Sequence, residues 1–147
     1  MVCAIQQAAG TVVVNGGVVS TPCYRSLRAN GGEVVINGGE FVGQVWMQPN
    51  QKNVSLTVNG GTFSPVGGDA SSIFMTNEGE NCTMDSASIT GGTFNGKVGV
   101  TNPDALAGCI SGGRFTDCHC TFLNLCTGSR KLRNRIYNRN NIRFVDW

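Results

Sequence analysis

Charged residues are scarce in this chain of 147 residues, making up 14% of it against about a quarter in an ordinary globular domain. Histidine occurs once, at His119, and acidic residues number nine. No apolar run approaches the roughly 18 residues that a membrane-spanning helix needs. These shortages predict a chain without a membrane span and leave little material for histidine or paired-carboxylate catalysis.

The first residues also lack the positively charged segment and apolar stretch of a signal peptide. The localisation is therefore left unknown, with a secreted, cell-surface or virion location expected if the chain is part of a longer protein. Seven cysteines cannot all pair within one molecule. A reducing compartment, or the use of cysteine as a small hydrophobic residue, is the simpler interpretation.

Glycine is the residue in excess, with 21 copies, and ten of them form the Gly-Gly pairs of one phrase that occurs five times. The copies are TVVVNGGVV, EVVINGGEF, SLTVNGGTF, SASITGGTF and AGCISGGRF, with their first glycines at positions 16, 38, 60, 91 and 112. A nearly constant step of this size is typical of a solenoid in which each repeat is one structural unit. The single longer step predicts a unit that carries an insertion, which we place at about residues 66–85.

Each phrase has the pattern of a strand, a sharp bend and a second strand. Two apolar positions lie two residues apart and are expected to face inward. Asn or a hydroxyl residue then precedes Gly-Gly, a combination that tolerates the positive φ of a bend. The apolar columns are Val12, Val34, Leu56 and Ala87, then Val14, Ile36, Val58, Ile89 and Ile110. The amide column is Asn15, Asn37 and Asn59, continued by Thr90 and Ser111, and the column after the bend is Val19, Phe41, Phe63, Phe94 and Phe115.

A third strand is expected at residues 23–27, 44–48, 72–76 and 97–101. We therefore predict an all-β fold, a right-handed parallel β-helix of about five coils with three short strands per coil, over residues 1–117. An antiparallel sandwich is disfavoured, because hairpins do not need one phrase in constant register. The recurring [VI]-[NTS]-G-G-x-F phrase resembles the glycine-rich β-helix repeats of the pectin-lyase-like superfamily, which is familiar from bacterial surface proteins and phage tail proteins. That resemblance implies a fold but no particular activity.

The two ends of the sequence differ from the repeats. Residues 1–10 align with a third strand and its turn, so we expect a partial first coil, in a fragment or in an assembled subunit. Residues 118–147 lack the phrase and gather six basic residues against Asp146 alone within 127–147. They are interpreted as a cap over the last coil, as a disordered basic tail, or as the product of a shifted reading frame.

Two groups of residues are candidates for ligand contact. Tyr24 and Trp46 fall near one another on the third strands, where they form either an aromatic platform for sugar rings or part of the core. Four acids, Asp69, Glu78, Glu80 and Asp85, gather in the insertion and have oxygen atoms suited to Ca²⁺ or to a glycan. Their spacing matches no calcium-loop signature, and a solvated loop is the simpler interpretation.

No catalytic or metal site is predicted. Outside the coil with the insertion, Glu33 and Glu40 are the only two acids within one coil, and neighbouring coils repeat neither of them. A zinc set at Cys118, His119, Cys120 and Cys126 would start with an atypical Cys-x-Cys spacing. We expect no cofactor, and the few aromatics among the basic residues disfavour nucleic-acid binding.

The sequence favours a non-catalytic structural or binding segment of a bacterial surface or phage tail protein, with a polysaccharide or cell-surface glycan as its ligand. The alternative is a truncated polysaccharide lyase or glycoside hydrolase whose catalytic coils lie in the insertion or in missing sequence. A homo-oligomer, or continuation into a longer β-helix, is the expected assembly.

Overall fold

The computed structural model describes residues 3–67, 71–77, 82–116 and 142–143. Within them the chain forms thirteen short strands and one 3₁₀ turn. The strands are β1 Cys3–Gln7, β2 Thr11–Val14, β3 Val18–Ala29, β4 Glu33–Ile36, β5 Glu40–Met47, β6 Val54–Val58, β7 Thr62–Ser64, β8 Ser71–Met75, β9 Met84–Ile89, β10 Thr93–Phe94, β11 Lys97–Val100, β12 Arg114–Phe115 and β13 Ile142–Arg143. The 3₁₀ turn covers Pro103–Leu106, and no helix in this part of the chain is long and apolar enough to cross a membrane.

The strands stack in parallel from coil to coil, which confirms the predicted β-solenoid of about five turns. One sheet has the order β2-β4-β6-β9 and contains the first strand of the first four repeats, and Ile110 of the fifth repeat forms an isolated bridge to Ile89. A larger sheet carries the second and third strands. The third strands form one side of the solenoid, which is called the third face. It consists of β1, residues 25–29 of β3, residues 44–47 of β5, β8 and β11.

The strand register is the one that the repeated phrase predicts. Val14 pairs with Ile36, Ile36 with Val58, and Val58 with Ile89. In the larger sheet Phe41 pairs with Phe63. In these pairs the residues of the repeated phrase lie over their counterparts in the neighbouring coil.

The apolar columns face the interior and form one continuous core. Four phenylalanines are stacked there, with ring centroids 5.1, 4.8 and 4.7 Å apart from Phe41 to Phe115. Each of these rings is at most 1% exposed. Stacked aromatic pairs contribute packing beyond their buried area, so this column is a main source of cohesion between coils.

The polar column beside the bend forms a ladder of side-chain hydrogen bonds. The amide of Asn37 donates to Oδ1 of Asn15 at 2.8 Å, and the amide of Asn59 donates to Oδ1 of Asn37 at the same distance. Thr90 continues the ladder, since its hydroxyl donates to Oδ1 of Asn59 at 3.2 Å. The predicted stacking of amides is thus confirmed.

The two glycines of a bend are required for different reasons. Gly61 has a φ of +107°, which L side chains rarely adopt. Gly60 has no such φ, but a Cβ built on it would lie 2.8 Å from the carbonyl oxygen of Asn37 in the preceding coil. The second glycine therefore makes the bend possible, and the first lets two coils approach closely.

The coils differ in the connection between their second and third strands. In β3 and β5 the two strands are continuous, whereas β7 and β8, and also β10 and β11, are separate. β8 lies within the region predicted as the insertion, so the additional residues flank that strand on both sides. β13 pairs antiparallel with β12, while the rest of 118–147 lies outside the described residues and its proposed roles stay predictions.

Replacing Phe63 by Ala should cost about 3–5 kcal/mol of unfolding free energy, because it removes the ring that contacts both Phe41 and Phe94. Guanidinium titration of the purified protein measures this loss. Thr62→Ala is the matched control, since this half-buried neighbour should change stability by only about 0.5 kcal/mol. A loss at Phe63 no larger than that at Thr62 would contradict the stacked core.

Asn37→Ala should cost about 1–2 kcal/mol, because this residue makes two hydrogen bonds of the ladder. Asn95→Ala removes a single side-chain hydrogen bond, to Ser64, and should cost about half as much. Both losses are measured by denaturant titration. Equal losses for the two variants would show that the ladder adds nothing beyond an isolated surface hydrogen bond.

Candidate functional site

Trp46 lies on the outside of the solenoid, on the third face. Its neighbours Val45 and Met47 are fully buried and face the core, and strand alternation turns the indole between them outward. The indole is half-buried against the sheet. Of the two alternatives that the sequence left open for Trp46, the structure therefore has the outward one.

Two arginines lie over this indole. The guanidinium carbon of Arg25 is 3.6 Å from the centroid of the Trp46 ring, and that of Arg28 is 5.4 Å away. Arg25 also lies 5.8 Å from the ring centroid of Tyr24, whose side chain is 45% exposed. These four residues are called the arginine–aromatic cluster. A cation over an indole is worth about 0.5–2 kcal/mol, depending on how far the pair is removed from water.

Hydrogen bonds to neighbouring coils fix the orientation of the cluster. The indole Nε1 of Trp46 donates to the hydroxyl of Thr76 at 3.0 Å. The Nε of Arg28 donates to Oε1 of Gln48, also at 3.0 Å. Both partners lie just beyond the third strands, so hydrogen bonds hold the ring and one arginine in place.

The apolar surface continues into the next coil through Phe74. Phe74 pairs with Trp46 along the sheet, and Gly99 follows it in the same column. A Cβ built on Gly99 would lie 3.1 Å from Cδ2 of Phe74, so the phenyl ring leans over the glycine and a side chain there would crowd it. One outward column on the third face thus contains a cation, two aromatic rings and a glycine, in the order Arg28, Trp46, Phe74 and Gly99.

The cluster concentrates positive charge at one spot. Partial burial, and then the neighbouring charge of Arg28, lower the pKa of Arg25 from its ordinary value. The guanidinium nevertheless stays protonated at neutral pH, as arginine does in proteins. The two guanidinium groups lie close to one ring and therefore repel each other.

The acidic group of the insertion is only partly described. Asp85 lies in β9 with an exposed side chain, as the additional residue where the pairing with β6 shifts. Asp69, Glu78 and Glu80 lie outside the described residues, so their proposed role in ligand binding stays a prediction.

The acids of the repeats are not paired. Glu33 and Glu40 are both exposed, and they lie in different sheets on either side of the bend at Asn37. Glu33 pairs with Thr11 and Ser55 in the neighbouring coils, and its carboxylate accepts a hydrogen bond from the Thr11 hydroxyl at 3.5 Å. Within the described ranges no three His, Cys, Asp or Glu side chains could hold a metal ion together. The sequence considered for zinc, residues 118–126, lies outside those ranges.

Sequence reasoning identified Tyr24 and Trp46 but missed Arg25, Arg28 and Phe74. Two of these could have been found by extending the column analysis to the third strands. Arg28, Trp46 and Phe74 each follow a core residue of one column. Arg25 was not accessible in this way, because a register shift separates it from the regular pairing.

No protein-family model, curated protein or solved structure matches this chain. The case for its function therefore rests on its own residues.

Cys109 has a thiol that is partly removed from water. It packs against the end of the core, and burial raises the pKa of its thiol from 9.0 to about 11. The thiolate is the reactive form, so a half-buried thiol that stays neutral is a poor nucleophile at neutral pH.

The raised pKa of Cys109 predicts a loss of stability in alkali. The folded protein holds the neutral thiol, whereas the unfolded chain ionises near the ordinary value, so this contribution is complete below pH 9 and lost as the pH rises to about 11. Denaturant titrations across this pH window should show a steeper decline for the wild type than for Cys109→Ala. Parallel declines for the two proteins would contradict the burial of this thiol.

Proposed function

We propose that this chain is a non-catalytic structural and binding segment of a β-helix protein, of the kind found in bacterial surface and phage tail proteins. Its ligand is an acidic glycan, which it binds on the third face through the arginine–aromatic cluster. The observation that carries the proposal is the stack of Arg25 on Trp46 at 3.6 Å, with Arg28 beside it. The resemblance of the Gly-Gly-x-Phe phrase to the pectin-lyase-like superfamily supports the class of protein.

The chemistry of the cluster suits a sugar that carries a carboxylate or sulfate. A planar guanidinium binds such a group through two parallel hydrogen bonds. Phe74, in the next coil, offers apolar surface with few rotatable bonds, against which the apolar side of a sugar ring packs, whereas the ring of Trp46 is covered by Arg25 and holds that guanidinium in place. Both features lie on a stacked sheet, so the site is rigid and little entropy is lost when the ligand binds.

The described acids favour binding over turnover. Glycosidases hold two carboxyl groups about 5–9.5 Å apart across the scissile bond. Here Glu33 and Glu40 belong to different sheets, and neither has an acidic neighbour in the next coil. The alternative, a truncated polysaccharide lyase or glycoside hydrolase, depends on Asp69, Glu78 and Glu80, and product formation tests it directly.

The full chain should bind an oligogalacturonate more tightly than its methyl ester, which has the same sugars without the charge. Calorimetry with both ligands measures the difference, and added salt should weaken binding of the charged ligand. Arg25→Ala and Trp46→Ala should each weaken binding about tenfold, because each removes one half of the cation–ring stack. Lys52→Ala is the control, since this exposed residue in the β5–β6 connection lies outside the third face.

Three outcomes would contradict the proposal. Equal affinity for the acid and its methyl ester would exclude recognition of charge. Unchanged affinity in the Arg25 and Trp46 variants would place binding elsewhere. Release of shorter products from the polysaccharide, lost on replacing the acids of the insertion, would instead support the enzyme alternative.

A further inference from the structure

β3, the strand that carries Arg25, contains a β-bulge opposite a single residue of β5, Gly43. Ser20 of β3 pairs with Val42 of β5, and Arg25 pairs with Gln44. Four residues, 21–24, therefore lie in β3 where β5 has only Gly43. Tyr24 lies in this bulge and has no counterpart in β5, and Arg25 follows directly after it.

Two buried contacts hold the bulge. The side chain of Ser26 is fully buried, and its hydroxyl lies 3.0 Å from the carbonyl oxygen of Gly43 and 3.2 Å from that of Gln44. Inside the bulge, the backbone N–H of Cys23 donates to the hydroxyl of the buried Thr21 at 3.1 Å. Ser26 thus ties the end of the bulge to the next coil, directly beside Arg25.

Gly43 admits the bulge on two grounds. Its φ is +113°, a conformation that L side chains rarely adopt. A Cβ at this position would also lie 2.9 Å from the backbone nitrogen of Ser26 and 3.2 Å from the carbonyl oxygen of Tyr24. Any side chain here would push the backbone of residues 24–26 outward, and with it the attachment point of Arg25.

The coils of the solenoid can stack without such a bulge. β10 and β11 are joined across the same corner by Asn95 and Gly96 alone, and their coil keeps its Phe94 stack and its parallel pairing. The bulge, and the hydrogen bonds of Ser26 that hold it, are therefore a local addition to the coil that presents the arginines.

We infer that Gly43 and Ser26 are positioning residues of the arginine–aromatic cluster, which hold the 21–24 bulge so that Arg25 lies on Trp46 before a ligand binds. The ligand-binding consequence rests on the proposed function, whereas the position of Arg25 is testable without any ligand. The chain contains two tryptophans, so Trp147→Phe leaves Trp46 as the only indole reporter.

The test compares Gly43→Ala and Ser26→Ala in the Trp147→Phe background. Acrylamide quenching of Trp46 fluorescence reports whether the guanidinium still covers the ring, and calorimetry with oligogalacturonate reports affinity. Both variants should raise the quenching constant about twofold and weaken binding about three- to tenfold, the size of one cation–ring contact. Ser26→Ala serves as the second variant in case Gly43→Ala does not fold.

Two controls separate positioning from a general loss of stability. Gly16→Ala places the same methyl group in open space, since nothing lies within 4 Å of a Cβ there, and should change neither readout. Ile36→Val lowers stability through the core and should leave quenching and affinity unchanged. A folded Gly43→Ala or Ser26→Ala protein with wild-type quenching would overturn the inference. If the wild type does not bind oligogalacturonate while quenching still rises in the variants, the positioning role stands and the proposed function fails.

Discussion

The close contact between one coil and the next at the Gly-Gly bend is the constraint on which the rest of the structure depends. At each bend the residue after the second glycine donates its N–H to the glycine carbonyl of the preceding coil, as Thr62 does to Gly39 at 2.8 Å. The residue before the bend also donates its N–H to the preceding coil, as Asn59 does to the carbonyl oxygen of Ile36 at 2.8 Å. Because these bonds leave no room for a Cβ at Gly60, they fix both the spacing and the register of the coils. The phenylalanine stack and the amide ladder follow from that register.

The fold was accessible from the sequence because its determinants repeat. Residues of the same chemistry recur at one position of the repeat, as Val14, Ile36 and Val58 do, and this recurrence is enough to predict that the coils stack. The bend residues were equally legible, since Gly-Gly after an amide has few uses in an extended chain. The continuity of the second and third strands in β3 and β5 was not legible, because it depends on corner residues that do not repeat.

The site was only partly predictable for the same reason. Trp46 and Tyr24 stand out as large aromatics, but the periodic pattern has no column for Arg25. That residue reaches Trp46 through a bulge of four residues opposite one, and such a shift changes which side chains face outward. The signal for it is indirect: a serine, Ser26, at a buried position and a glycine, Gly43, outside the repeated phrase.

The separation of core and surface in this architecture bears on how a binding site can be carried. Inward columns such as Phe41 to Phe115 are coupled from coil to coil, so a change in one is felt by its neighbours. Outward residues such as Arg28 contact mainly the next outward position and a connection, here Gln48. Sites far enough apart to share no partner act on stability nearly independently. The outer surface of a coil can therefore change its charge and its ligand while the bends and the core beneath it stay the same. Because of this independence, one face of otherwise uniform coils can carry the arginine–aromatic cluster.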